Sequence, residues 1–207
     1  MPPGKGEQTR ERILLRAARL FNQKGYYGSS LADLLRATGL QKGGIYNHFQ
    51  SKEQLALEAF DMAIGLVGRR FEQAIAGKRH AADRLLAILG EFRHYAVDPP
   101  VPGGCPIMNT AIESDDANPA LRRRARLAMD RWRDFLRTIV TKGVERGELR
   151  STLDPNHVST LLTAALEGGL MLSKLYDDPS HINAVADYLT RYVEAQLRAP
   201  ASTAASG

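Results

Sequence analysis

Residues 30–49 of the chain read Ser30-Leu-Ala-Asp-Leu-Leu-Arg-Ala-Thr-Gly-Leu-Gln-Lys-Gly-Gly-Ile-Tyr-Asn-His-Phe49. Ser30 precedes Asp33 by three positions, which is the spacing of a capping box at a helix start. The leucines that follow recur at helical spacing, and Gly39 provides a stop. After a tight turn, Lys42–Phe49 has room for about two further helical turns. The stretch therefore predicts two short helices joined by a glycine-containing turn, which is a helix-turn-helix.

The second of these helices would expose an unusual set of residues. Ile45 is its only obvious aliphatic anchor and Phe49 closes its end, so glycine and polar residues remain for the outer face. Two adjacent glycines cost a helix about 1 kcal/mol each relative to alanine, a cost that an ordinary surface helix does not explain. Because Gly43 and Gly44 lack side chains, their backbone could approach a phosphate or a base edge closely. The pattern therefore favours a helix that enters the major groove of DNA.

The charge of the chain is concentrated at its start. Residues 1–52 hold nine Lys or Arg against three Asp or Glu, a net charge of +6, whereas the remaining 155 residues hold 19 against 20. This asymmetry is typical of a polyanion-binding head on a neutral body. A solvated basic helix face would give the same asymmetry, so charge alone leaves both interpretations open.

Helical periodicity continues through the rest of the chain. A second capping box begins at Ser51, and Asn118, Asp154 and Asp178 each precede a proline, a pattern that starts a helix. No alternating run of strand type stands out. The sequence thus predicts an all-α protein of about nine helices, with a three-helix N-terminal head and a helical bundle. We expect a DNA-binding domain at 1–53, an effector-binding and dimerisation domain at 54–198, and a disordered tail at 199–207.

Composition excludes several classes of protein. The longest apolar runs, such as 161–166, are far shorter than the roughly 20 residues of a membrane-spanning helix, and residues 1–10 contain no apolar signal core. We therefore expect a soluble, cytoplasmic protein that does not bind a membrane. Cys105 is the only cysteine, which excludes an intrachain disulfide, and the five histidines lack metal-binding spacing. The sequence predicts neither a metal nor a cofactor.

The run from Ala37 to Leu55 resembles the signature of TetR-type repressors, and the segment from Phe21 to Ser30 resembles what precedes it in that family. The resemblance implies a homodimer that places two recognition helices in successive major grooves of a palindromic operator, about 34 to 36 Å apart. It implies these phosphate contacts: Lys42, Tyr46, His48, Lys52 and either Ser29 or Ser30. The residues implied for base edges are Gln41, Gly43, Gly44 and Asn47. Tyr46 and His48 could instead pack against the first or fourth helix, and Ser30 could serve only as a cap.

The same resemblance implies that the fourth to seventh helices form a pocket for a small-molecule effector. The segment from Gly103 to Glu113 is similar to a Gly-Cys segment in some TetR-type sensors, including a branch that responds to electrophiles. A thiol at a helix N-terminus favours the thiolate, although a single cysteine is more often a small buried residue. The candidate pocket residues are Arg93, His94, Tyr95, Cys105, Met108, Asn109, Glu113, Met129 and Trp132. Met and Trp could equally be core residues, and Arg and His surface residues.

Small residues recur along one face of the penultimate helix, at Thr160, Ala164, Gly168 and Gly169. They suit close helix approach in a dimer interface, and packing within one chain could use them equally. The leading hypothesis is a DNA-binding regulator, a repressor that a small-molecule effector releases from its operator, and we expect no enzymatic activity. The alternatives are a thiol-sensing repressor acting through Cys105, a cysteine-dependent enzyme with His94 as base, and a non-specific architectural DNA binder.

Overall fold

The computed structural model describes residues 4–114 and 117–200, and within these ranges the chain is all-α, as the sequence predicts. No strand occurs among the described residues, and one isolated bridge joins Leu149 to Arg198. The helices are α1 Lys5–Lys24, α2 Leu31–Thr38, α3 Lys42–Tyr46, α4 Lys52–Ile75, α5 Ala81–Val97, α6 Pro106–Glu113, α7 Pro119–Glu145, α8 Pro155–Tyr176 and α9 Ser180–Tyr192, after which Val193–Leu197 forms a π-helical turn.

Local side-chain caps account for the helix starts that the sequence predicts. The Ser30 hydroxyl accepts the Asp33 amide at 3.1 Å, and the Asp33 carboxylate accepts the Ser30 amide at 2.9 Å, so the predicted capping box of α2 is formed. Hydrogen bonds from the hydroxyl and amide of Ser30 hold the pKa of Asp33 well below its usual range. At α4 the Ser51 hydroxyl accepts the Gln54 amide, but Gln54 reaches back to the amide of Gln50 instead of Ser51.

Helix α3 is shorter than the sequence predicts, because it ends at Tyr46 and not at Phe49. The amides of His48 and Phe49 both donate to the Ile45 carbonyl, at 3.0 and 3.1 Å, which closes the chain into a tight turn. This turn places the Phe49 ring in the core, where it is fully buried. Residues 47–49, which the sequence predicts as the last part of the helix, therefore form a turn that Phe49 anchors in the core.

The predicted disordered tail begins inside the described part of the chain. The Ala199 amide donates to the Glu148 carbonyl at 3.1 Å, and the Arg198 guanidinium pairs with Asp83 at 2.7 Å. Ala199 is therefore held by the fold, which differs from the expectation for that residue. Pro200 is the last described residue, and residues 201–207 of the predicted tail lie outside the described residues.

The chain divides into two compact units, each of which is built from two separate segments of the sequence. The head unit comprises the residues up to Arg70 together with Asp98–Met129, and the bundle unit comprises Phe71–Val97 together with the residues from Asp130 on. The core of the head unit is built from apolar side chains of α1 to α4, and Val101, from the loop before α6, is fully buried in it. Helix α6 and its preceding loop therefore belong to the same unit as the helix-turn-helix.

The bundle unit has its own apolar packing. Phe71, Phe92 and Trp132 form an aromatic cluster with ring centroids 4.9 to 5.8 Å apart. In α8, a Cβ at Gly169 would lie 3.0 Å from Ile182 of α9, so these helices approach closely at that glycine. None of the helices within the described ranges combines the length and the apolar character needed to cross a bilayer.

Candidate nucleic-acid interface

Helix α3 presents a polar, largely exposed face to solvent. Ile45 is buried and anchors the helix, as the sequence predicts. The predicted contact residues that are exposed around it are Gln41, Lys42, Gly43, Tyr46 and Asn47. A Cβ at Gly43 would meet no atom within 4 Å, so its backbone is open to a large partner. This face has the donors, the cationic side chain and the accessible backbone that DNA recognition needs.

The predicted contact residues in and after α3 have different environments. The Lys42 ammonium lies 5.9 Å from the centroid of the Tyr46 ring, which joins these two exposed side chains in a cation-π contact. Gly44 and His48 are half-buried. The Cβ position of Gly44 faces Leu40, and the His48 ring lies 6.5 Å from that of Phe49. Tyr46 therefore points to solvent rather than into the helical core, whereas His48 partly covers Phe49.

The two serines before α2 have separate environments. Ser29 is 1% exposed, and its hydroxyl donates to the Gly25 carbonyl at 2.6 Å. Its side chain is thus held inside the turn, and the structure does not support Ser29 as a phosphate ligand. Ser30 is exposed and caps α2. Of the two alternatives that the sequence left open, Ser30 is the accessible one.

Lys52, at the start of α4, is bound to the turn between α1 and α2. Its ammonium donates to the Tyr26 carbonyl at 2.6 Å and lies 4.2 Å from the centroid of the Tyr26 ring. Burial lowers the pKa of Lys52, while the nearby carboxylate of Glu113 acts in the opposite direction. Lys52 is therefore engaged within the head unit instead of extending into solvent.

The polar residues of α6 bind the end of α1, a contact that the sequence did not reveal. Asn22 is buried near the end of α1, and its side-chain amide donates to the carbonyls of Val101, Pro102 and Gly104 at 2.9 to 3.3 Å. The Asn109 side-chain amide in turn donates to the Asn22 side-chain oxygen at 2.9 Å. It also donates to the Asn22 carbonyl at 3.1 Å. Two asparagines 87 positions apart thus join α6 to the helix-turn-helix.

Glu113, one helical turn further along α6, binds the α1–α2 turn directly. Its two carboxylate oxygens accept the amides of Tyr26 and Tyr27, each at 2.8 Å. Gly25 has a φ of 78°, and any Cβ there would collide with the Glu113 carboxylate, so this approach requires glycine. The Tyr27 hydroxyl adds a 2.7 Å bond to the Ala117 carbonyl. The prediction that Asn109 and Glu113 line an effector pocket is therefore not supported, because both side chains are used to hold the head.

A small cavity of about 30 Å³ lies beside these contacts, lined by Ala18, Ala59, Phe60, Thr110 and Glu113 among others. A space of this size accommodates about one water molecule. It is too small for an organic effector. The polar contacts of α6 are therefore a packed junction and not the wall of a ligand pocket.

The other predicted pocket residues fall into both units. In the head unit, Cys105 is only 6% exposed at the start of α6, and Met108 and Met129 are half-buried. In the bundle unit, Tyr95 is buried against Phe71 and Trp132 is half-buried, donating from its indole to the Thr163 hydroxyl at 3.1 Å.

Two further candidates lie at the surface of the bundle unit. Arg93 pairs with Asp187 of α9 at 2.7 Å, and His94 is exposed. The outward position of His94 matches the surface alternative that the sequence left open.

The small residues of α8 separate into two groups. Thr160 and Ala164 are exposed and Gly168 is half-buried. Gly169 is buried against α9 of the same chain, so the intrachain alternative applies at that position. Exposed apolar side chains also occur on α8, at Leu161, Met171, Leu175 and Tyr176, and on α9, at Tyr188.

Comparison with known proteins matches the N-terminal and the C-terminal parts of the chain to the same protein family. Residues 13–59 match the model of the bacterial regulatory proteins of the tetR family, and residues 81–189 match the tetracyclin repressor-like C-terminal domain. A TetR transcriptional regulator from Chloroflexus aurantiacus is 47% identical in a structural match that covers 95% of this chain and 99% of that chain, with a TM-score of 0.91.

Two more distant relatives agree with this. A TetR-family regulator from Cytophaga hutchinsonii is 32% identical over 95% of this chain and 98% of that chain, with a TM-score of 0.87. The HTH-type transcriptional regulator LmrA of Bacillus subtilis is 29% identical over 80% of this chain and 86% of its own length. Together with the helix-turn-helix geometry, these matches establish that the chain belongs to the TetR family of helix-turn-helix transcriptional regulators.

Proposed function

We propose that the chain is a homodimeric repressor that binds a palindromic double-stranded operator through α2 and α3 and leaves it when a small-molecule effector binds. The observation that carries this proposal is the outer face of α3. Ile45 alone anchors the helix, while Gln41, Lys42, Gly43 and Asn47 are exposed. Because most of the α3 surface is left exposed by its own chain, this helix is suited to bind in a groove of DNA.

Each side chain on this face has a chemically defined role in the proposal. Lys42 and Tyr46 contact phosphates, because an ammonium neutralises them and a phenol donates one hydrogen bond. Gln41 and Asn47 read base edges, for which a carboxamide can offer a paired donor and acceptor to adenine. Ser30 caps α2, and it would contact a phosphate by redirecting the hydroxyl hydrogen that it donates to the Asp33 carboxylate at 2.6 Å. Gly43 allows close approach of the backbone.

The dimer would form through α8 and α9. Thr160 and Ala164 leave space on α8, and Leu161, Met171 and Leu175 add exposed apolar surface to the same helix. Contiguous apolar surface on a folded protein marks an interaction site more often than an inert surface. A second copy of the chain supplies a self-complementary partner, since a two-fold interface brings the same patch from both sides.

The effector would bind in the bundle unit, for which Arg93, Tyr95 and Trp132 remain candidate contacts. Asn109 and Glu113 are assigned instead to coupling. Because they bind Asn22 and the α1–α2 turn, a shift of α6 changes the position or the stability of the DNA-binding helices. An effector that stabilises one of two α6 positions thereby changes operator affinity by its differential binding to them.

Two further parts of the proposal follow from this role. We propose that the chain catalyses no reaction and acts in the cytoplasm, where a bacterial chromosome is accessible to it. The thiol-sensing alternative has little support from accessibility, because the Cys105 side chain is almost completely buried.

The experiment is selection of bound fragments from a genomic library at moderate salt, followed by titration of the enriched site. We expect one enriched palindrome, occupied by two protomers. Lys42→Ala should weaken all duplexes and reduce the slope of log K against log salt by about one unit. A chain that enriches no palindrome, or that binds random and selected duplexes equally, would be a non-specific binder and would contradict the proposal.

A further inference from the structure

The turn between α1 and α2 forms a small concave site for an anion. The amides of Tyr26 and Tyr27 are consecutive, and each donates to a different oxygen of the Glu113 carboxylate at 2.8 Å. The positive φ of Gly25 opens the backbone so that both amides point to the same side. Successive N–H groups that converge in a turn form a nest, which is a type of anion-binding site found for phosphate groups.

Lys52 adds a cation to this nest. Its ammonium is 2.6 Å from the Tyr26 carbonyl, and it is close enough to Glu113 for the carboxylate to oppose the effect of burial on the pKa of Lys52. Two backbone donors beside one ammonium are the groups that proteins use to hold a phosphate. The Glu113 carboxylate therefore fills a site whose donors would also suit a phosphate oxygen.

The nest adjoins the predicted DNA-contacting surface. Lys52 is itself a predicted phosphate ligand, and Ser30 follows the turn by three residues at the start of α2. Tyr27 is 52% exposed, so the turn is at the protein surface. An operator backbone that reaches Ser30 and the start of α4 would pass close to the Tyr26 and Tyr27 amides.

We propose that the amides of Tyr26 and Tyr27 together with Lys52 form a phosphate-binding site for the operator backbone, and that Glu113 occupies this site as an internal competitor. This inference rests on the DNA-binding function proposed above. The form in which α6 holds Glu113 in the nest is the form with weaker operator affinity. Withdrawal of Glu113 exposes the two amides and Lys52 to a DNA phosphate, which adds one contact to those of α2 and α3.

The test uses Glu113→Gln in the full-length dimer, because glutamine keeps the shape of the side chain and removes its charge. Its matched control is Glu53→Gln, which makes the same charge change on α4, next to Lys52. Both variants raise the net charge of the head unit by one, so a general electrostatic gain in DNA affinity appears in both. Only Glu113→Gln weakens the internal anion in the nest.

The first measurement follows the Tyr26 and Tyr27 amides by NMR while inorganic phosphate is added. We expect saturable shifts of both amides in Glu113→Gln, and none in the wild type or in Glu53→Gln. The second measurement is binding to the selected operator. Glu113→Gln should bind about 10-fold more tightly than Glu53→Gln, and its salt slope should be steeper by about 0.9, the value for one added phosphate contact.

The outcomes separate the possible roles of Glu113. Equal operator affinity of the two variants, or weaker binding by Glu113→Gln, would show that Glu113 only braces the turn and would overturn the proposal. Phosphate shifts without a gain in operator affinity would restrict the site to small anions and overturn its assignment to DNA. Adding Lys52→Gln to Glu113→Gln should abolish the gain. If the wild type binds no palindrome at all, the proposed function fails, and the NMR titration still reports on the nest.

Discussion

The Asn22–Asn109 contact should contribute a measurable part of the stability of the head unit. Asn22→Ala removes a buried amide that donates to three carbonyls and accepts from Asn109. Its two amide hydrogens are shared among the three carbonyls, so about three effective hydrogen bonds are lost. At ~1 kcal/mol net for each bond, the free energy of unfolding should fall by about 3 kcal/mol.

Asn109→Ala removes fewer hydrogen bonds than Asn22→Ala, because the Asn22 side chain still donates to the carbonyls of Val101, Pro102 and Gly104. We expect a loss of about 2 kcal/mol, for the two amide hydrogens of Asn109. Because one bond joins the two side chains, the double variant should lose about 1 kcal/mol less than the sum of the single variants. Asn118→Ala is the matched control, because that buried asparagine caps α7 and should cost about 1 kcal/mol with no coupling to Asn109.

The assay is urea denaturation at fixed protomer concentration, combined with native-state hydrogen exchange of peptides from α1 and α6. Fixed concentration is required because dimerisation contributes to apparent stability. Hydrogen exchange is required because the two units can unfold separately. Fluorescence of the only tryptophan, Trp132, reports on the bundle unit, whereas Asn22 and Asn109 lie in the head unit. Costs of Asn22→Ala below about 0.5 kcal/mol, or strictly additive single variants, would refute the argument that these bonds hold α6 to α1.

Three further predictions test other parts of the structure. Gly103→Ala should lower the free energy of unfolding by more than ~2 kcal/mol, because its φ is 117° and its Cβ would collide with the backbone of α1. The control Gly39→Ala, with a φ of 70° and open space at its Cβ, should lower it by about 1 kcal/mol; similar thermal shifts for the two variants would contradict this. Ala164→Arg should convert dimer to monomer in analytical ultracentrifugation while the control Ala76→Arg does not, and an unchanged dimer would exclude this face of α8. Asp33→Asn should destabilise the protein at neutral pH, and its difference from the wild type in free energy of unfolding should shrink progressively as pH falls below about 4. The stabilisation from a carboxyl with a depressed folded-state pKa is complete above its unfolded pKa and is lost as pH falls towards the folded one; a difference independent of pH would count against that cause.

Features set by neighbouring residues could be predicted from the sequence. The starts of α7 and α8 follow from Asn118 and Asp154, each of which precedes a proline, and the start of α2 follows from the spacing of Ser30 and Asp33. The polar outer face of α3 follows from the isolation of Ile45 among polar and glycine residues. In each case the signal lies within about one helical turn of the feature that it predicts.

Contacts between distant segments could not be predicted in this way. Asn109 and Glu113 lie four residues apart and so share one face of α6, but helical periodicity does not say what that face contacts, and Asn22 lies 87 residues from Asn109. The pattern also could not separate Ser29 from Ser30, because their hydroxyls are alike and only the turn at Gly25 buries one of them. Gly25 is the available signal, because a glycine permits a positive φ at a turn, and its φ of 78° also admits the Glu113 carboxylate.

Hydroxyl-radical footprinting of the wild-type chain on its selected operator tests the central claim most directly. We expect two protected backbone segments on one face of the duplex, centred about 34 to 36 Å apart and related by the palindrome, with two protomers bound. A single protected segment, or uniform protection that does not change with the sequence of the duplex, would contradict a dimeric regulator that reads its site through α3.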